Sequence, residues 1–197
     1  MTPDNEVMER SVGEPALFEL LYARHATSVY RYAAQRLGDH VAEDVMAETF
    51  LVAFERRSSY DVTVHDARPW LLGIATRLMR KHVRVEAVAW KGAAADLAAS
   101  IAPDFIELAG ARIDAPRLAR RLAKALRRLS AADRDTLLLY AWADLDYTSI
   151  AVTTRVPIGT VRSRLNRTRR QLRRAAGIGT IEQETDHGRA DVAPQHS

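Results

Sequence analysis

The stretch that decides the fold is Tyr147–Arg174, which reads YTSIAVTTRVPIGTVRSRLNRTRRQLRR. Its pattern predicts two helices joined by a tight connection. Pro157 marks the break, because proline disfavours helical geometry in the residue before it and fits the first turn of a new helix. In the second helix, Val161, Leu165 and Leu172 are spaced by 4 and 7 residues and therefore share one helix face.

The opposite face of this second helix is dense in arginine. It carries Arg162, Ser163, Asn166, Arg167, Arg169, Arg170 and Arg173. A helix that packs on one side and offers guanidinium groups on the other suits the DNA major groove. A solvated charged face on a bundle helix is the alternative, but the break followed by a basic helix favours DNA binding.

The composition predicts an all-α protein. The chain has 197 residues, 47% of them hydrophobic, which is enough for two small domains with cores, and it contains only 9 glycines. There are no cysteines, which excludes disulfides and thiolate metal sites and fits a reducing cytoplasm. Because no apolar run approaches the roughly 18 residues that span a bilayer, no membrane insertion is expected.

The positive charge is concentrated in one segment. Residues 117–176 hold 15 Lys+Arg and 4 Asp+Glu, whereas the whole chain has a net charge of only +4. Localised basic charge indicates a polyanionic partner. A basic helix could instead lie on an anionic membrane, but the basic face lacks the tryptophan and phenylalanine that would anchor it there.

The pattern along the chain predicts two small helical domains joined by a linker. Residues 1–14 are expected to be disordered, and residues 15–85 to form the first domain. Residues 86–116, alanine-rich and mildly acidic, are expected to be the linker. Residues 117–176 should form the second domain with its helix-turn-helix, and the polar tail 177–197 is expected to be disordered.

An acidic face is predicted on a helix from about residue 40 to residue 58. Its outer side carries Glu43, Asp44 and Glu48. Acidic groups early in a helix suit the helix dipole, but these three also form a docking face for a basic partner. His40 stands near two of them, yet no second histidine follows at i+4, so no metal site is predicted.

A basic stripe is predicted on the helix that begins at Pro69, whose Trp70 is expected in the core. Its members recur every three or four residues or lie adjacent: Arg77, Arg80, Lys81 and Arg84. A solvated face is the alternative for this stripe, but its place beside a DNA-reading domain favours phosphate contact.

No feature of the sequence predicts catalysis. There is no phosphate-cradling glycine loop, no pair of ligand histidines and no cysteine nucleophile. The chain is therefore expected not to be an enzyme and to need no cofactor.

Four stretches, taken together and in order, resemble the extracytoplasmic-function sigma factors of bacterial RNA polymerase. They are AEDVMAETFLVAF (residues 42–54), RPWLLGIATRLMRKHVR (68–84), LRRLSAADRDTLLLYAWADLDYTSIA (126–151) and VPIGTVRSRLNRTRRQLR (156–173). They look like, in turn, the polymerase-docking helix, the helix that meets the minus-ten promoter element, the start of the fourth sigma region, and the recognition helix.

This resemblance implies a protein that binds core RNA polymerase and directs promoter-specific initiation with melting of promoter DNA. It implies that Glu43, Asp44 and Glu48 dock on the largest polymerase subunit. Arg77, Arg80, Lys81 and Arg84 would meet the minus-ten element, and Thr160, Arg162, Ser163, Arg164 and Arg167 would read the minus-thirty-five element.

The resemblance also implies an anti-sigma partner and a cytoplasmic location, associated with the nucleoid when polymerase is bound. A stand-alone helix-turn-helix regulator with an N-terminal sensor or dimerisation domain is the alternative. The basic stripe discriminates between the two, because a sensor domain needs no second DNA-facing surface.

Three places depart from the family pattern. Ala47 stands where glutamine is usual, and Arg77 where asparagine is usual. The turn of the DNA-reading motif, usually isoleucine, leucine and glycine, is here Thr153-Thr154-Arg155. Without the leucine and the glycine, we expect the helix before the turn to be looser.

Overall fold

The computed structural model describes residues 2–82, 85–86, 88–89 and 115–177. Within those ranges every regular element is helical and no strand occurs, which confirms the predicted all-α class.

Within residues 2–82, the N-terminal half contains four α-helices with short 3-10 turns between them. The helices are α1 (Asp4–Ser11), α2 (Glu19–Leu37), α3 (Asp39–Glu55) and α4 (Arg68–Met79). The 3-10 turns are Pro15–Phe18, Arg57–Ser59 and Arg80–His82.

The C-terminal half contains four more helices. They are α5 (Ala115–Arg128), α6 (Ala131–Ala141), α7 (Tyr147–Thr154) and α8 (Ile158–Ala176). The predicted pair of helices on either side of Pro157 is therefore present as α7 and α8.

Helix α1 corrects the expectation that residues 1–14 are disordered. Val7 and Met8 are buried, with exposed fractions of 2% and 0%. Two apolar side chains on one short helix are a weak periodic signal, and the polar residues around them dominate the local composition. Their burial depends on contacts with the rest of the N-terminal half.

The start of α1 is fixed by the carboxylate of Asp4. Arg24 Nη1 donates to Asp4 Oδ1 at 2.7 Å, and the backbone N–H of Ala67 donates to Oδ2 at 3.1 Å. Burial alone would raise the pKa of Asp4, but these donors, together with the His25 ring at 2.6 Å, lower it below its usual value. One side chain thus ties α1 to α2 and to the start of α4.

Side-chain caps and a glycine set several helix boundaries. Gly38 ends α2 with φ of +82°, a conformation that side chains rarely adopt. The hydroxyl of Ser130 accepts the Asp133 N–H at 3.1 Å, and Asp146 accepts the Ser149 N–H at 2.7 Å. These caps satisfy the free N–H groups that begin α6 and α7.

The buried apolar side chains form one cluster to which both halves contribute. In the N-terminal half it includes Leu21, Val29, Tyr32, Phe50, Leu71, Leu72, Ile74 and Met79. In the C-terminal half it includes Leu122, Leu126, Leu137, Leu138, Ile150, Val161, Leu165 and Leu172. Trp70 packs against the core with its ring 5.3 Å from that of Tyr60, which confirms its predicted core role.

The two halves touch each other directly. Helix α4 packs against α7, and Arg36 of α2 is bonded to Asp135 of α6. Glu86, the first residue of the predicted linker, is fully buried beside Arg36. Residues 90–114 of the predicted linker and 178–197 of the predicted tail lie outside the described residues. In the described part of the chain, no helix is both long and apolar enough to cross a membrane.

Candidate nucleic-acid interface

Helix α8 is held to the C-terminal half along one apolar side. The carbonyl of Pro157 accepts the N–H groups of Thr160 at 2.8 Å and Val161 at 3.2 Å, which starts the helix. Val161, Leu165 and Leu172 are each at most 3% exposed. Burying a side chain of this size contributes about 1.5–3 kcal/mol, so these three fix which side of α8 faces solvent.

The solvent-facing side of α8 carries most of the predicted minus-thirty-five residues. Arg162 and Ser163 are exposed, while Thr160 and Arg164 are half-buried. The hydroxyl of Ser163 donates to the carbonyl of Thr160 at 2.9 Å. No ion pair within the described ranges involves Arg162 or Arg164, so both guanidinium groups can meet an external acceptor.

Further along α8 the basic face widens into a cleft of about 440 Å³. Asn166, Arg169, Arg170 and Arg173 line it. The guanidinium of Arg169 lies 5.1 Å from the centre of the Tyr140 ring, which holds it against α6. A cleft with three guanidinium groups favours phosphate oxygens as ligands.

Arg167 differs from the other predicted base-reading residues. Its Nε donates to Asp133 Oδ2 at 3.2 Å, and its Nη2 donates to Oδ1 of the same carboxylate. The hydrogen bond to Asp133 raises the pKa of Arg167. This bidentate pair ties α8 to the first turn of α6, so Arg167 helps to position the helix within its own half.

The unusual turn residues adopt a regular structure. Helix α7 runs to Thr154, whose hydroxyl donates to the Ile150 carbonyl at 2.7 Å. Arg155 follows with φ of +54°, the left-handed conformation that glycine adopts without strain and that costs other residues about 1–2 kcal/mol. Thr153 is 6% exposed and contacts the N-terminal half.

The predicted minus-ten stripe lies at the end of α4 and in the 3-10 turn that follows. Arg77 is exposed, and its pKa is lowered by partial burial and by the nearby charges of Arg155, Arg56 and Arg80. Arg84 lies outside the described residues. Several positively charged side chains therefore lie close together near the last turn of α4.

Two of the stripe's cations are paired with carboxylates. Arg80 Nη2 lies 2.9 Å from Asp135 Oδ2, and Asp135 belongs to the C-terminal half. Lys81 Nζ donates to Glu48 Oε2 at 2.7 Å. Each of these cations must leave or share its carboxylate before it can hold a phosphate.

The acidic face of α3 separates into two parts. Glu43 and Asp44 line a groove of about 480 Å³ between α2 and α3, together with Tyr30 and Ala47. Glu48 lies apart from that groove, in its pair with Lys81. The acidic groove thus presents two of the three predicted polymerase-binding carboxylates.

One cluster in the described ranges has the spacing of metal-binding groups, with ligand atoms of Asp4, His25 and Asp66 within 4.8 Å of one another. Both Asp4 oxygens already accept hydrogen bonds, one of them from Arg24. A guanidinium at this distance opposes a cation, so the cluster is an ion-pair network that holds α1.

Two family matches cover the two halves. Residues 21–87 match Sigma-70 region 2, and residues 119–172 match Sigma-70, region 4. A relative from Mycobacterium tuberculosis, ECF RNA polymerase sigma factor SigL, is 30% identical over 167 residues, which cover 83% of this chain and 90% of the relative. The chain belongs to the ECF sigma factors. This sigma factor directs transcription initiation by core RNA polymerase at promoter DNA, and the region 2 match removes the alternative of a stand-alone regulator.

Other similar proteins agree with this assignment. The sigma factor is 27% identical to SigK of Mycobacterium ulcerans over 168 residues, with 82% of this chain and 86% of the relative covered. In fold it resembles CnrH in complex with the cytosolic domain of CnrY, with a TM-score of 0.61, 20% identity and coverage of 90% and 99% of the two chains. It also resembles RpoE in complex with the anti-sigma factor NepR from Bartonella quintana, with a TM-score of 0.52, 19% identity and coverage of 83% and 98%.

The residues that sequence reasoning missed are those that join the two halves of this sigma factor. Arg36, Glu86 and Asp135 form a buried ionic cluster, and Gly73 packs against Thr153. In the cluster, Arg36 is 50 positions from Glu86 and 99 positions from Asp135. Only the departure of Thr153 from the family pattern signalled one of them.

Proposed function

We propose that this sigma factor grips a promoter at two places while its acidic groove holds core RNA polymerase. We propose the same domain limits that the sequence predicts. Residues 15–85 would serve polymerase docking and the minus-ten element, and residues 117–176 would serve the minus-thirty-five element. The polymerase performs the chemistry, and the sigma factor supplies the binding surfaces in the cytoplasm.

The observation that carries this proposal is the two-sided construction of α8. Its apolar side is buried, while Arg162 and Ser163 remain exposed near the start of the helix. Recognition helices of helix-turn-helix proteins present residues from this end to base edges. The residues proposed to read the minus-thirty-five element also include Thr160, Arg164 and Arg167. Arg167 would contact DNA after leaving Asp133, or would act by fixing the position of the helix.

At the minus-ten element, Arg77, Arg80, Lys81 and Arg84 would follow the phosphates of the separating strands. Promoter melting needs a surface that holds the released strand, and closely spaced cations provide it. Partial burial and then the charges of neighbouring arginines lower the pKa of Arg77. An anion would relieve the repulsion among these cations, which favours a polyanion there.

Polymerase docking is proposed for Glu43 and Asp44 in the groove between α2 and α3, and for Glu48, which lies outside that groove on the same helix and is paired with Lys81. A charge reversal tests it. Asp44→Arg should weaken binding to core polymerase at least about tenfold, because two charges near contact are reversed from attraction to repulsion. Fluorescence anisotropy of labelled sigma factor titrated with core enzyme measures this affinity.

The matched control is Glu55→Arg, which makes the same change at an exposed position at the other end of α3. It should leave the affinity for core polymerase unchanged. Equal losses in both variants would show that net charge, and not the groove, governs docking. An unchanged affinity in Asp44→Arg would remove the groove from the proposed function.

We also propose an anti-sigma partner for this chain. The support is that CnrH and RpoE, two solved structures similar in fold, are complexes with other proteins, and one of those partners is called an anti-sigma factor.

A further inference from the structure

A second basic cleft lies between α5 and α8, and the proposed function does not use it. Its volume is about 530 Å³, and we call it the rear cleft. Four cationic side chains and two alanines line most of it: Arg121, Lys124, Ala125 and Arg128 of α5, with Arg174 and Ala175 of α8. The four cationic side chains are exposed, so a ligand can reach them.

The four cations of the rear cleft have no carboxylate partner in the part of the chain that the structure describes. No ion pair or side-chain hydrogen bond there involves any of them. They differ in this from Arg167, which Asp133 holds. Like charges that share one cleft repel each other, and an anion between them relieves that repulsion. The rear cleft therefore favours an acidic ligand.

The rear cleft lies on the other side of α8 from the proposed base-reading residues. Gln171 also lines this cleft, whereas Arg162 is exposed near the start of the helix. At about 3.6 residues per turn, their separation of nine positions makes about two and a half turns, so the two side chains point in opposite directions. A duplex whose base edges contact Arg162 therefore leaves the rear cleft free for another acidic group.

An acidic segment of the same chain follows α8 directly. Residues 178–186, with the sequence IGTIEQETD, have no lysine or arginine and carry three carboxylates, on Glu182, Glu184 and Asp186. The segment begins beside the rear cleft, because α8 ends at Ala176 and the Cβ position of Gly177 is 3.4 Å from Nη1 of Arg121. A tethered ligand of this kind meets its site at a high effective concentration.

The acidic segment is long enough to follow the whole cleft. Arg121 and Arg128 are seven residues apart on α5, which is about 10 Å at about 1.5 Å per residue. Nine extended residues reach about 30 Å. In an extended conformation the three carboxylates would share one side of the segment at intervals of about 6.6 Å. That interval is similar to the roughly 4.5–6 Å between successive cations of the cleft along α5.

We propose that residues 178–186 occupy the rear cleft of their own chain, with the three carboxylates against the cations of α5 and α8. The contact itself does not depend on the proposed function, but its consequence for DNA does. While the segment is in the cleft, its carboxylates keep these cations from phosphates, so the C-terminal half attracts random DNA less. The base-reading side of α8 stays free. The segment thus raises the preference for a promoter over other DNA.

Paramagnetic broadening of amide NMR signals tests the contact. The chain has no cysteine, so a nitroxide can be attached to the full-length chain through Thr185→Cys, within the acidic segment. The label should broaden the amide signals of Ala125 and Leu129. This broadening should exceed that in the same labelled chain with its segment neutralised by Glu182→Gln, Glu184→Gln and Asp186→Asn. The neutralised chain keeps the tether and loses only the charges.

Charge reversal in the cleft is the second arm of this experiment. Lys124→Glu together with Arg128→Glu should reduce the broadening to the level of the neutralised segment. The matched control is Arg120→Glu together with Arg127→Glu, which reverses two exposed charges of α5 outside the cleft. This control should keep the full broadening.

Three results of the NMR experiment overturn the proposal. The first is equal broadening with the charged and the neutralised segment. The second is broadening confined to Arg169, Arg170 and Arg173, which would place the segment in the other cleft of α8. The third comes from mixing the nitroxide-labelled chain with an isotope-labelled chain that carries no nitroxide. Broadening in that mixture would mean that the segment binds a second copy.

Binding to DNA tests the consequence of the contact. At low salt, the neutralised chain without a label should bind a scrambled duplex about threefold or more tightly than the unmodified chain, because the cations of the rear cleft become available to phosphates. Its affinity for a promoter duplex, selected from random DNA by run-off transcription with core polymerase and the unmodified chain, should rise less.

The matched control for DNA binding removes the same charge elsewhere. Glu6→Gln, Glu9→Gln and Glu19→Gln together neutralise three exposed carboxylates of the N-terminal half. Equal gains in the two triple variants would mean that net charge alone governs random DNA binding, and the role given to the segment would be wrong. If the unmodified chain never supports initiation, the proposed function fails, and the NMR broadening still decides whether the segment occupies the cleft.

Discussion

The two basic surfaces of this sigma factor are built in different ways. Helix α8 has 19 residues. Its Arg167 forms an ion pair with Asp133, which belongs to the same half of the molecule. The stripe after α4 is short, and its Arg80 is held by Asp135 from the other half. The comparison shows that the α8 surface is presented by local packing, whereas the stripe changes with the arrangement of the halves.

The largest expected effect breaks the contact on which this difference depends. Arg36→Ala should lower the free energy of unfolding by about 3–5 kcal/mol, because the two buried carboxylates would lose the cation between them. Asp135 would keep only Arg80, and Glu86 only Arg134 at 3.6 Å. Chemical denaturation followed by circular dichroism measures it. Arg31→Ala, an exposed arginine on the same helix, should change stability by less than about 0.5 kcal/mol.

If Arg36→Ala lowers the free energy of unfolding by less than about 1 kcal/mol, the contrast between the α8 surface and the stripe is contradicted. That result would mean that the cluster is hydrated in solution, and that the stripe is as independent of the other half as α8 is.

A smaller effect is expected on DNA binding when single arginines of α8 are replaced. Arg162→Ala should weaken binding to a matched promoter by about 1–3 kcal/mol and relax the preference for one base pair, if its guanidinium reads a guanine edge. Arg170→Ala should weaken binding to matched and scrambled DNA equally, because it lies in the cleft suited to phosphate. Titrations on both duplexes compare them, and equal losses on both DNAs in Arg162→Ala would refute base reading there.

The smallest expected effect concerns the exposed pair of Lys81 and Glu48. Lys81→Gln should change the free energy of unfolding by less than about 1 kcal/mol, because exposed ion pairs contribute little. If Lys81 contacts one phosphate, the slope of log affinity against log salt should fall by about 0.7–0.9. Binding of holoenzyme to promoter DNA at several salt concentrations measures the slope, and an unchanged slope would remove Lys81 from the stripe.

Much of the fold could be predicted because its signals are local. The Ser130 cap, the end of α2 at Gly38, the break before Pro157 and the buried face of α8 each depend on residues a few positions apart. Helix α1 could not be predicted in this way. Its two buried side chains, Val7 and Met8, are stabilised by contacts with distant parts of the N-terminal half.

The candidate sites were predicted unevenly for the same reason. Exposure of Arg162 is consistent with the helical period, since it lies beside and not on the face formed by Val161, Leu165 and Leu172. The pairing of Arg167 with Asp133, of Lys81 with Glu48 and of Arg80 with Asp135 does not, because the partners are between 33 and 55 positions apart.

The amino-acid sequence alone was enough to predict the helical class, the family and the amphipathic recognition helix, because periodicity, capping and motif order are properties of neighbouring residues. The way in which the halves meet, with Gly73 against Thr153 and Arg36 between Asp135 and Glu86, is seen only in the folded molecule. The physical reason is that a buried ionic cluster or a close helix contact requires several distant groups to meet at one point. No local pattern encodes that meeting, although the unusual Thr153 in the turn indicated where one of its parts lies.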